Sequence, residues 1–222
     1  MDSERKALND GHTSPTGRRP GLREQHAEAT RRALLRAASA RFGAHGYVNT
    51  SLDDVAADAG TTKGAVYHHF KDKQALFAAA YEHLSATLVE ALVQHPHMAS
   101  GQIGDAIAVF LELAPHPAYS RVLFLEGPVV LGPTACRAID MRHGLGLMEA
   151  LVSRFITPAV LTQVPIGVLT RLMLATLIEA VQIIASESDP VAAAAVARQA
   201  RHVLEQSFGA LTTPTAHPLA NT

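Results

Sequence analysis

Apolar residues recur at the three- and four-residue spacing of an α-helix along most of the chain. One such stripe consists of Leu76, Ala80, Leu84, Leu88 and Leu92. The C-terminal two-thirds shows no sustained alternation of apolar and polar residues. This pattern predicts amphipathic helices, and the expected fold class is therefore all-α.

About nine helices are expected from these stripes and from the Gly and Pro residues that bound them. They comprise residues 25–45, two short segments between 50 and 73, then 73–93, 102–113, 119–126, 133–156, 165–186 and a last helix that opens at Asp189-Pro190. Gly127-Pro128 is expected to end the helix 119–126. Met141, Leu145, Met148, Val152 and Phe155 are expected to form the apolar face of the helix 133–156.

The two short helices between 50 and 73 have recognisable boundaries. In the first, apolar residues fall at i, i+3, i+4 and i+7: Leu52, Val55, Ala56 and Ala59. Thr50 with Asp53 predicts the cap of this helix, and Gly60 predicts its left-handed end. Thr61 is expected to cap the second helix. A cap, a short helix, a Gly turn, a cap and a second short helix together predict a helix-turn-helix.

The second short helix carries few aliphatic side chains. Val66 and Phe70 are four residues apart and are expected to face inward, which leaves Thr62, Lys63, Tyr67 and His68 for the outer face. Gly64 costs about 1 kcal/mol relative to Ala within a helix. Close approach of a nucleic-acid backbone would explain that cost, and the alternative is that Gly64 is merely tolerated.

A gap-free series of short motifs runs between residues 30 and 77. It comprises Phe42-Gly43-Ala44-His45-Gly46-Tyr47, Thr50-Ser51, Val55-Ala56, Ala59-Gly60, Lys63-Gly64-Ala65-Val66-Tyr67-His68-His69-Phe70 and Lys73-Gln74-Ala75-Leu76. This series resembles the DNA-binding domain of TetR-type transcriptional regulators. The turn Gly60-Thr61-Thr62 departs from the aliphatic residue and Ser that are frequent in that family. The resemblance implies a three-helix DNA-binding domain at 26–72. The residues expected to contact DNA are Thr50, Ser51, Thr61, Thr62, Lys63, Gly64, Tyr67, His68 and Lys71.

The resemblance also implies that residues 73–211 form a helical ligand-binding and dimerisation domain. The homodimer is expected to form through the last two long helices, in agreement with a helix 165–186 that is apolar nearly all round and must be covered on several sides. The residues expected to line a ligand pocket are Phe110, Tyr119, Phe124, Met141, Met148, Phe155, Met173 and Leu177. For each of them, plain core packing is the alternative.

Four carboxylates lie within mostly apolar helices of this second domain: Glu112, Glu126, Asp140 and Glu179. One or two of them facing the pocket would favour a cationic ligand. The alternatives are exposure to solvent or pairing with Arg121, Arg137 or Arg142.

Charge is unevenly distributed, although the net charge is only -1. Arginines are concentrated near the N-terminus, at positions 18, 19, 23, 31, 32, 36 and 41. The only acidic residues between positions 18 and 41 are Glu24 and Glu28. Such a segment can neutralise phosphates, and the alternative is an ordinary solvated tail. We expect a flexible basic arm at 1–25 and a flexible tail at 212–222.

Catalytic and metal-binding motifs are missing from the sequence. There is no GxSxG, P-loop, GxGxxG or HExxH run, and the His residues near Pro-rich breaks lack a Cys partner. We therefore expect no enzyme activity, no metal site and no cofactor. The single Cys136 fits a reducing cytoplasm, and the sequence indicates neither a signal peptide nor a membrane partner.

Together these patterns predict a ligand-responsive, DNA-binding transcriptional regulator. It would bind a palindromic double-stranded operator as a homodimer, in the repressor mode usual for the family, and a small lipophilic effector would release it. The alternative is a helical protein-interaction module of the same fold that no longer binds DNA. The absence of acidic or bulky aliphatic residues among Thr62, Lys63, Tyr67 and His68 favours the regulator.

Overall fold

The computed structural model describes residues 21–143 and 145–212, and the regular elements within them are all helices, as predicted. Most of the predicted arm and tail, residues 1–20 and 213–222, lies outside the described residues. Residues 22–25 of the predicted arm and Thr212 of the predicted tail are helical, because the first helix starts at Leu22 and the last ends at Thr212.

Three helices form an N-terminal unit: α1 Leu22–His45, α2 Leu52–Asp58 and α3 Lys63–His69. The core of this unit contains Leu34, Phe42, Val55 and Val66, which are fully buried, and Phe70, which is nearly fully buried. The inward orientation predicted for Val66 and Phe70 is confirmed. Gly60, which follows α2, has a φ of 65°, as the predicted left-handed turn requires.

The cap of α2 lies one residue later than predicted. The Ser51 hydroxyl accepts a hydrogen bond from the Asp54 N–H at 3.1 Å and donates to the Asp54 carboxylate at 2.7 Å. The predicted cap with Thr50 and Asp53 is wrong, because the Thr50 hydroxyl donates to the carbonyl of Gly46 at 2.8 Å. Thr50 consequently closes the turn after α1 and is only 2% exposed.

The cap of α3 is shifted in the same direction. The Thr62 hydroxyl, not that of Thr61, accepts a hydrogen bond from the Ala65 N–H at 3.3 Å. Because Gly60 already reverses the chain, Thr62 is the residue with the extended backbone that a cap needs.

Helix α4, Lys73–Gln94, connects the N-terminal unit to the rest of the chain. All five residues of its predicted apolar stripe are buried. A 3-10 turn at Pro96–Ser100 follows, and the remaining helices are α5 Ile103–Leu113, α6, α7 Pro133–His143, α8 Leu145–Ser153, the short α9 Pro158–Leu161, α10 Ile166–Ser186 and α11 Pro190–Thr212. Helix α6 is continuous from Pro117–Tyr119 through the π-helical Ser120–Glu126 to Gly127–Val130.

Helix α6 does not end at Gly127-Pro128, so that prediction was wrong. The π-helical stretch ends where the Gly127 N–H donates to the carbonyl of Val122, and the helix continues as Gly127–Val130. The side-chain amide of Gln182, on α10, donates to the carbonyl of Phe124 at 3.2 Å. This hydrogen bond joins α6 to α10.

The predicted helix 133–156 is divided into α7 and α8, and α9 adds a single turn. For these reasons the described residues contain eleven helices instead of about nine. The predicted apolar face of this segment fails at Met141, which is 63% exposed, whereas Cys136 and Ile139 on α7 are buried.

Helix α1 crosses α6 at very short range. A Cβ placed on Gly43 would lie 2.7 Å from the Cα of Ala118, so the absence of a side chain permits the crossing. Arg121 donates to the carbonyl of Ala44 at 2.7 Å, and Glu126 accepts from the backbone N–H of Tyr47 at 2.6 Å. This α1–α6 contact joins the N-terminal unit directly to the second domain.

Helices α4 and α10 are long and apolar enough to cross a membrane, judged by length and composition alone. Half of the most apolar stretch of α4 and a third of that of α10 is buried within the chain. Both helices contribute to the core of the fold. On α10, however, Leu172 and Ile183 are 62% and 47% exposed.

Candidate functional sites

The outer side of α3 is polar and open to solvent. Thr62, Gly64 and His68 are exposed, Tyr67 is 52% exposed, and Val66 of the same helix is completely buried. A Cβ added at Gly64 would meet nothing closer than the Thr62 hydroxyl, at 3.8 Å. Because no side chain projects from the helix at Gly64, another molecule can approach its backbone closely there.

Lys63 lies on this surface but has a partner within the chain. Its ammonium donates to the Asp53 carboxylate on α2 at 2.7 Å, and both side chains are exposed. The hydrogen bond to Asp53 raises the pKa of Lys63, so the cation is retained. Surface ion pairs of this kind contribute little stability, which leaves Lys63 able to exchange partners.

Seven of the nine residues predicted to contact DNA are exposed together at α2, α3 and the adjoining turns: Ser51, Thr62, Lys63, Gly64, Tyr67, His68 and Lys71. Thr61 is half-buried. Thr50 does not belong to this surface, because its side chain is buried and its hydroxyl is bound to Gly46. We call the seven exposed residues the α3 face.

A cavity of about 490 Å³ lies in the second domain. Its walls come from α4, α5, α6, α7, α8 and α10. The lining residues are Tyr81, Ser85, Leu88, Val89, Leu92, Phe110, Leu123, Phe124, Pro128, Pro133, Cys136, Arg137, Asp140, Met148, Arg171, Leu174, Ala175 and Ile178. Most of them are apolar, and this volume is in the range of small-molecule sites.

Besides the exposed Arg137 and Arg171, a partly buried polar cluster interrupts the apolar wall of the cavity. The Tyr81 hydroxyl donates to the Asp140 carboxylate, with its oxygen 3.2 and 3.1 Å from the two carboxylate oxygens. The Ser85 hydroxyl donates to the same carboxylate at 3.2 Å. Burial raises the pKa of Asp140, although these two donors act in the opposite direction. Cys136 lies beside the cluster, and burial raises the pKa of its thiol.

A second, smaller chamber of about 50 Å³ adjoins the cavity, with which it shares Leu92, Phe110, Met148 and Leu174. Among the predicted pocket residues, Phe110, Phe124 and Met148 line the cavity, and Phe155, Met173 and Leu177 line only the chamber. Tyr119 lines neither of these two spaces. Met141 is turned to solvent, so its assignment to a pocket was wrong.

Tyr81 and Ser85 were not predicted as site residues. They are four residues apart on α4 and are polar positions beside its leucine stripe. A hydroxyl pair four residues apart beside an apolar stripe is a signal that sequence reasoning could have used. Of the four predicted carboxylates, Asp140 faces the cavity, Glu126 belongs to the α1–α6 contact, and Glu112 and Glu179 are exposed.

Within residues 21–143 and 145–212, no three His, Cys, Asp or Glu side chains are grouped so that they could hold a metal ion.

Two family models match the chain. Residues 34–80 match the model of bacterial regulatory proteins of the tetR family, and residues 101–207 match a tetracyclin repressor-like C-terminal domain. The first match extends from α1 into α4 and contains the α3 face. The second begins just before α5 and ends within α11.

Individual proteins show the same relationship. The chain is 34% identical over 99 residues to the HTH-type transcriptional regulator AcrR of Shigella flexneri, which is 45% of each chain. It is 32% identical over 100 residues to the HTH-type transcriptional repressor SCO4008 of Streptomyces coelicolor, 45% of this chain and 50% of that one. The matches thus span about half the length of these curated relatives.

A solved structure extends the similarity to the whole fold. A TetR-family transcriptional regulator from Pectobacterium atrosepticum superposes with a TM-score of 0.65 at 29% identity, over 86% of this chain and 97% of that one. With a helix-turn-helix at its N-terminus, a helical second domain and family models matching both, the chain belongs to the TetR family of bacterial regulatory proteins.

Proposed function

We propose that the protein is a ligand-responsive, DNA-binding transcriptional regulator that represses transcription until a small lipophilic effector binds. The observation that carries the proposal is the α3 face. A short helix whose apolar side packs against α2 and into the core presents Thr62, Lys63, Tyr67 and His68 outward. Such a helix can enter the major groove while neighbouring groups hold phosphates.

The cavity supports an effector that is mainly apolar. Met148 in the wall can adapt to irregular apolar shapes, and Phe110 and Phe124 add apolar surface beside it. Asp140 favours a cationic group within such a molecule, since a cation would partly repay the burial of the carboxylate. Calorimetry with tetraphenylphosphonium and with an aryl carboxylate of similar size tests which charge the cavity prefers. The cation is expected to bind, and binding of the carboxylate alone would contradict the preference for a cationic effector.

Helix α6 supports coupling between the cavity and DNA. Leu123, Phe124 and Pro128 line the cavity, and Glu126 on the same helix holds the backbone of Tyr47 after α1. An effector that fits better when α6 is displaced would favour a DNA-incompetent arrangement of α1 to α3. The effector acts only through this difference in affinity between the two arrangements.

Dimerisation through α10 and α11 is supported by their uncovered apolar residues. Leu172 and Ile183 on α10 and Val203 on α11 are exposed in the single chain. Pairing these helices with a symmetry mate would bury them in a four-helix interface. The two α3 helices would then face a palindromic operator at a spacing of about 34–36 Å or a multiple of it. We expect the dimer to work in the cytoplasm.

A gel-shift experiment with DNA taken from next to the protein's own gene tests the regulator directly. We expect a shift that weakens steeply with salt, and Tyr67→Ala should weaken binding by roughly three- to tenfold. Arg154→Ala removes an exposed charge far along the chain from α3 and serves as the control. Unchanged affinity in Tyr67→Ala would contradict the α3 face. No shift from a folded dimer would favour the protein-interaction module.

A further inference from the structure

The small chamber contains one unusual polar atom. The side chain of Thr170, on α10, is fully buried, and its hydroxyl has no hydrogen-bond partner among the described residues. Thr170 lines the chamber, and the other thirteen lining residues are apolar. Buried hydroxyls are normally paired, because leaving one unpaired lowers the stability of the fold. The position therefore needs a physical explanation.

Water is a poor partner at this position. The chamber, at about 50 Å³, is large enough for water. A buried water is well held only where two to four polar groups surround it. Here it would find the hydroxyl of Thr170 and otherwise only hydrocarbon side chains, among them Phe110, Met173 and Phe208. A molecule that combines one acceptor atom with an apolar body matches this lining better.

We propose that the chamber is a subsite for a neutral, oxygen-bearing end of the effector, with Thr170 donating a hydrogen bond to that oxygen. Charged side chains are missing from the residues that line the chamber, so a carbonyl or ether oxygen fits it and a charged group does not. The apolar body of the ligand extends past Phe110 and Met148, which border both spaces, into the larger cavity. This subsite rests on the proposed ligand-binding function and defines the chemistry of one end of the effector.

Thr170→Val tests the subsite because it removes the hydroxyl and keeps the shape. Displacement of the neutral fluorophore N-phenyl-1-naphthylamine measures the binding of 2-decanone and of 2-methyl-1-decene, in which a methylene group replaces the carbonyl oxygen. We expect the wild-type protein to prefer the ketone by roughly three- to tenfold. In Thr170→Val this preference should disappear, while the alkene binds at least as tightly as before.

Thr87→Val is the matched control. Thr87 lies on α4, its hydroxyl donates to the carbonyl of His83 at 2.8 Å, and it lines neither space. This variant should keep the preference for the ketone. An equal preference in Thr170→Val and wild type, or no preference in wild type, would overturn the subsite while leaving the cavity and DNA binding intact. Failure of the fluorophore and of both displacers to bind would overturn the ligand-binding function together with the subsite.

Thermal unfolding without ligand separates this subsite from a purely structural hydroxyl. If Thr170 is unpaired until a ligand arrives, Thr170→Val should unfold at the same temperature as the wild-type protein or a higher one. A lower unfolding temperature would mean that the hydroxyl is already bonded within the fold, for example to a carbonyl of its own helix, and would overturn the proposal.

Discussion

The Glu126 carboxylate accepts a hydrogen bond from the backbone N–H of Tyr47 at 2.6 Å. The two residues are far apart in sequence, one on α6 and the other in the turn between α1 and α2. The same turn is held from α4, where the Lys73 ammonium lies 4.5 Å from the centre of the Tyr47 ring and donates to the carbonyl of Val48. The orientation of the N-terminal unit therefore depends on a carboxylate of the helix that lines the cavity.

Replacing Glu126 by Ala should lower the free energy of unfolding by about 1.5–3 kcal/mol, because it leaves the N–H of Tyr47 without a charged acceptor. Glu126→Gln keeps an acceptor oxygen, so its free energy of unfolding should fall less than that of Glu126→Ala. Chemical denaturation measures both variants. Glu112→Ala, at an exposed glutamate of α5, is the control and should change stability little.

The coupling proposed for α6 adds a second expectation for Glu126→Ala. The variant should still bind a lipophilic ligand, but the ligand should release DNA less completely than it does from the wild-type protein. Fluorescence anisotropy of labelled operator DNA, with and without ligand, provides the measurement. Full release from a variant that lacks this contact would mean that Glu126 plays no part in the coupling.

Two helical glycines are expected to respond oppositely to alanine. In Gly43→Ala the new Cβ would meet the backbone of Ala118 at 2.7 and 2.9 Å, so α1 and α6 must move apart, at a cost of about 1–3 kcal/mol. In Gly64→Ala the new Cβ enters open space, so helix propensity should stabilise the fold by up to about 1 kcal/mol. Thermal unfolding of the two variants compares them.

Gly64→Ala also tests the α3 face without disturbing the fold. If a DNA backbone approaches Gly64 closely, the variant should bind operator DNA more weakly despite its greater stability. Equal affinity in Gly64→Ala and wild type would support the alternative that Gly64 is merely tolerated in α3.

Much of the fold was accessible from sequence because it depends on local periodicity. The buried stripe on α4, the left-handed Gly60 and the inward Val66 and Phe70 all follow from spacing within one helix. The family resemblance covered the same region, and the outward exposure expected for Thr62, Lys63, Tyr67 and His68 is confirmed. The caps of both short helices were misplaced: the Thr50 hydroxyl turns back to Gly46 and Ser51 caps α2, and Thr62 instead of Thr61 caps α3.

The second domain was harder to predict because its decisive contacts join distant helices. No local rule shows that the Gln182 amide on α10 donates to the carbonyl of Phe124 on α6, or that Met141 faces solvent while Cys136 on the same helix faces the cavity. Helical spacing identifies an apolar face but not the partner that covers it. Pocket residues were therefore found in part, and the hydroxyl of Thr170 was not found.

The ion pair between Asp53 and Lys63 is expected to compete with DNA. Asp53→Asn frees the Lys63 ammonium and removes a negative charge beside the α3 face, so affinity for operator DNA should rise by roughly two- to tenfold at low salt. Anisotropy measured over a range of salt concentrations gives the slope of the logarithm of the binding constant against the logarithm of the salt concentration. This slope should be steeper in Asp53→Asn by about the amount expected for one additional phosphate contact. Lys63→Ala should have the opposite effect, and lowered affinity in Asp53→Asn would show that Asp53 holds Lys63 in its DNA-binding position.

Asp140 should make both stability and ligand binding depend on pH. Burial raises the pKa of Asp140 in the folded protein above its unfolded value. The stability that Asp140 contributes to the fold is therefore fully present at pH values below its pKa in the unfolded chain. It is lost as the pH rises through the pKa of Asp140 in the folded protein. The uncharged variant Asp140→Asn should consequently have a higher unfolding temperature than the wild-type protein. The difference between the two temperatures should be largest at neutral pH and should shrink on acidification.

Ligand binding at Asp140 should change with pH in the opposite sense. A lipophilic cation such as tetraphenylphosphonium prefers the ionised carboxylate, so its affinity should fall as acid protonates Asp140, at a pH above that of an ordinary aspartate. Asp140→Asn should bind the cation weakly with little pH dependence, whereas Glu112→Gln, at an exposed carboxylate, should behave as wild type. The same pH profile in Asp140→Asn and wild type would assign the titration to another group.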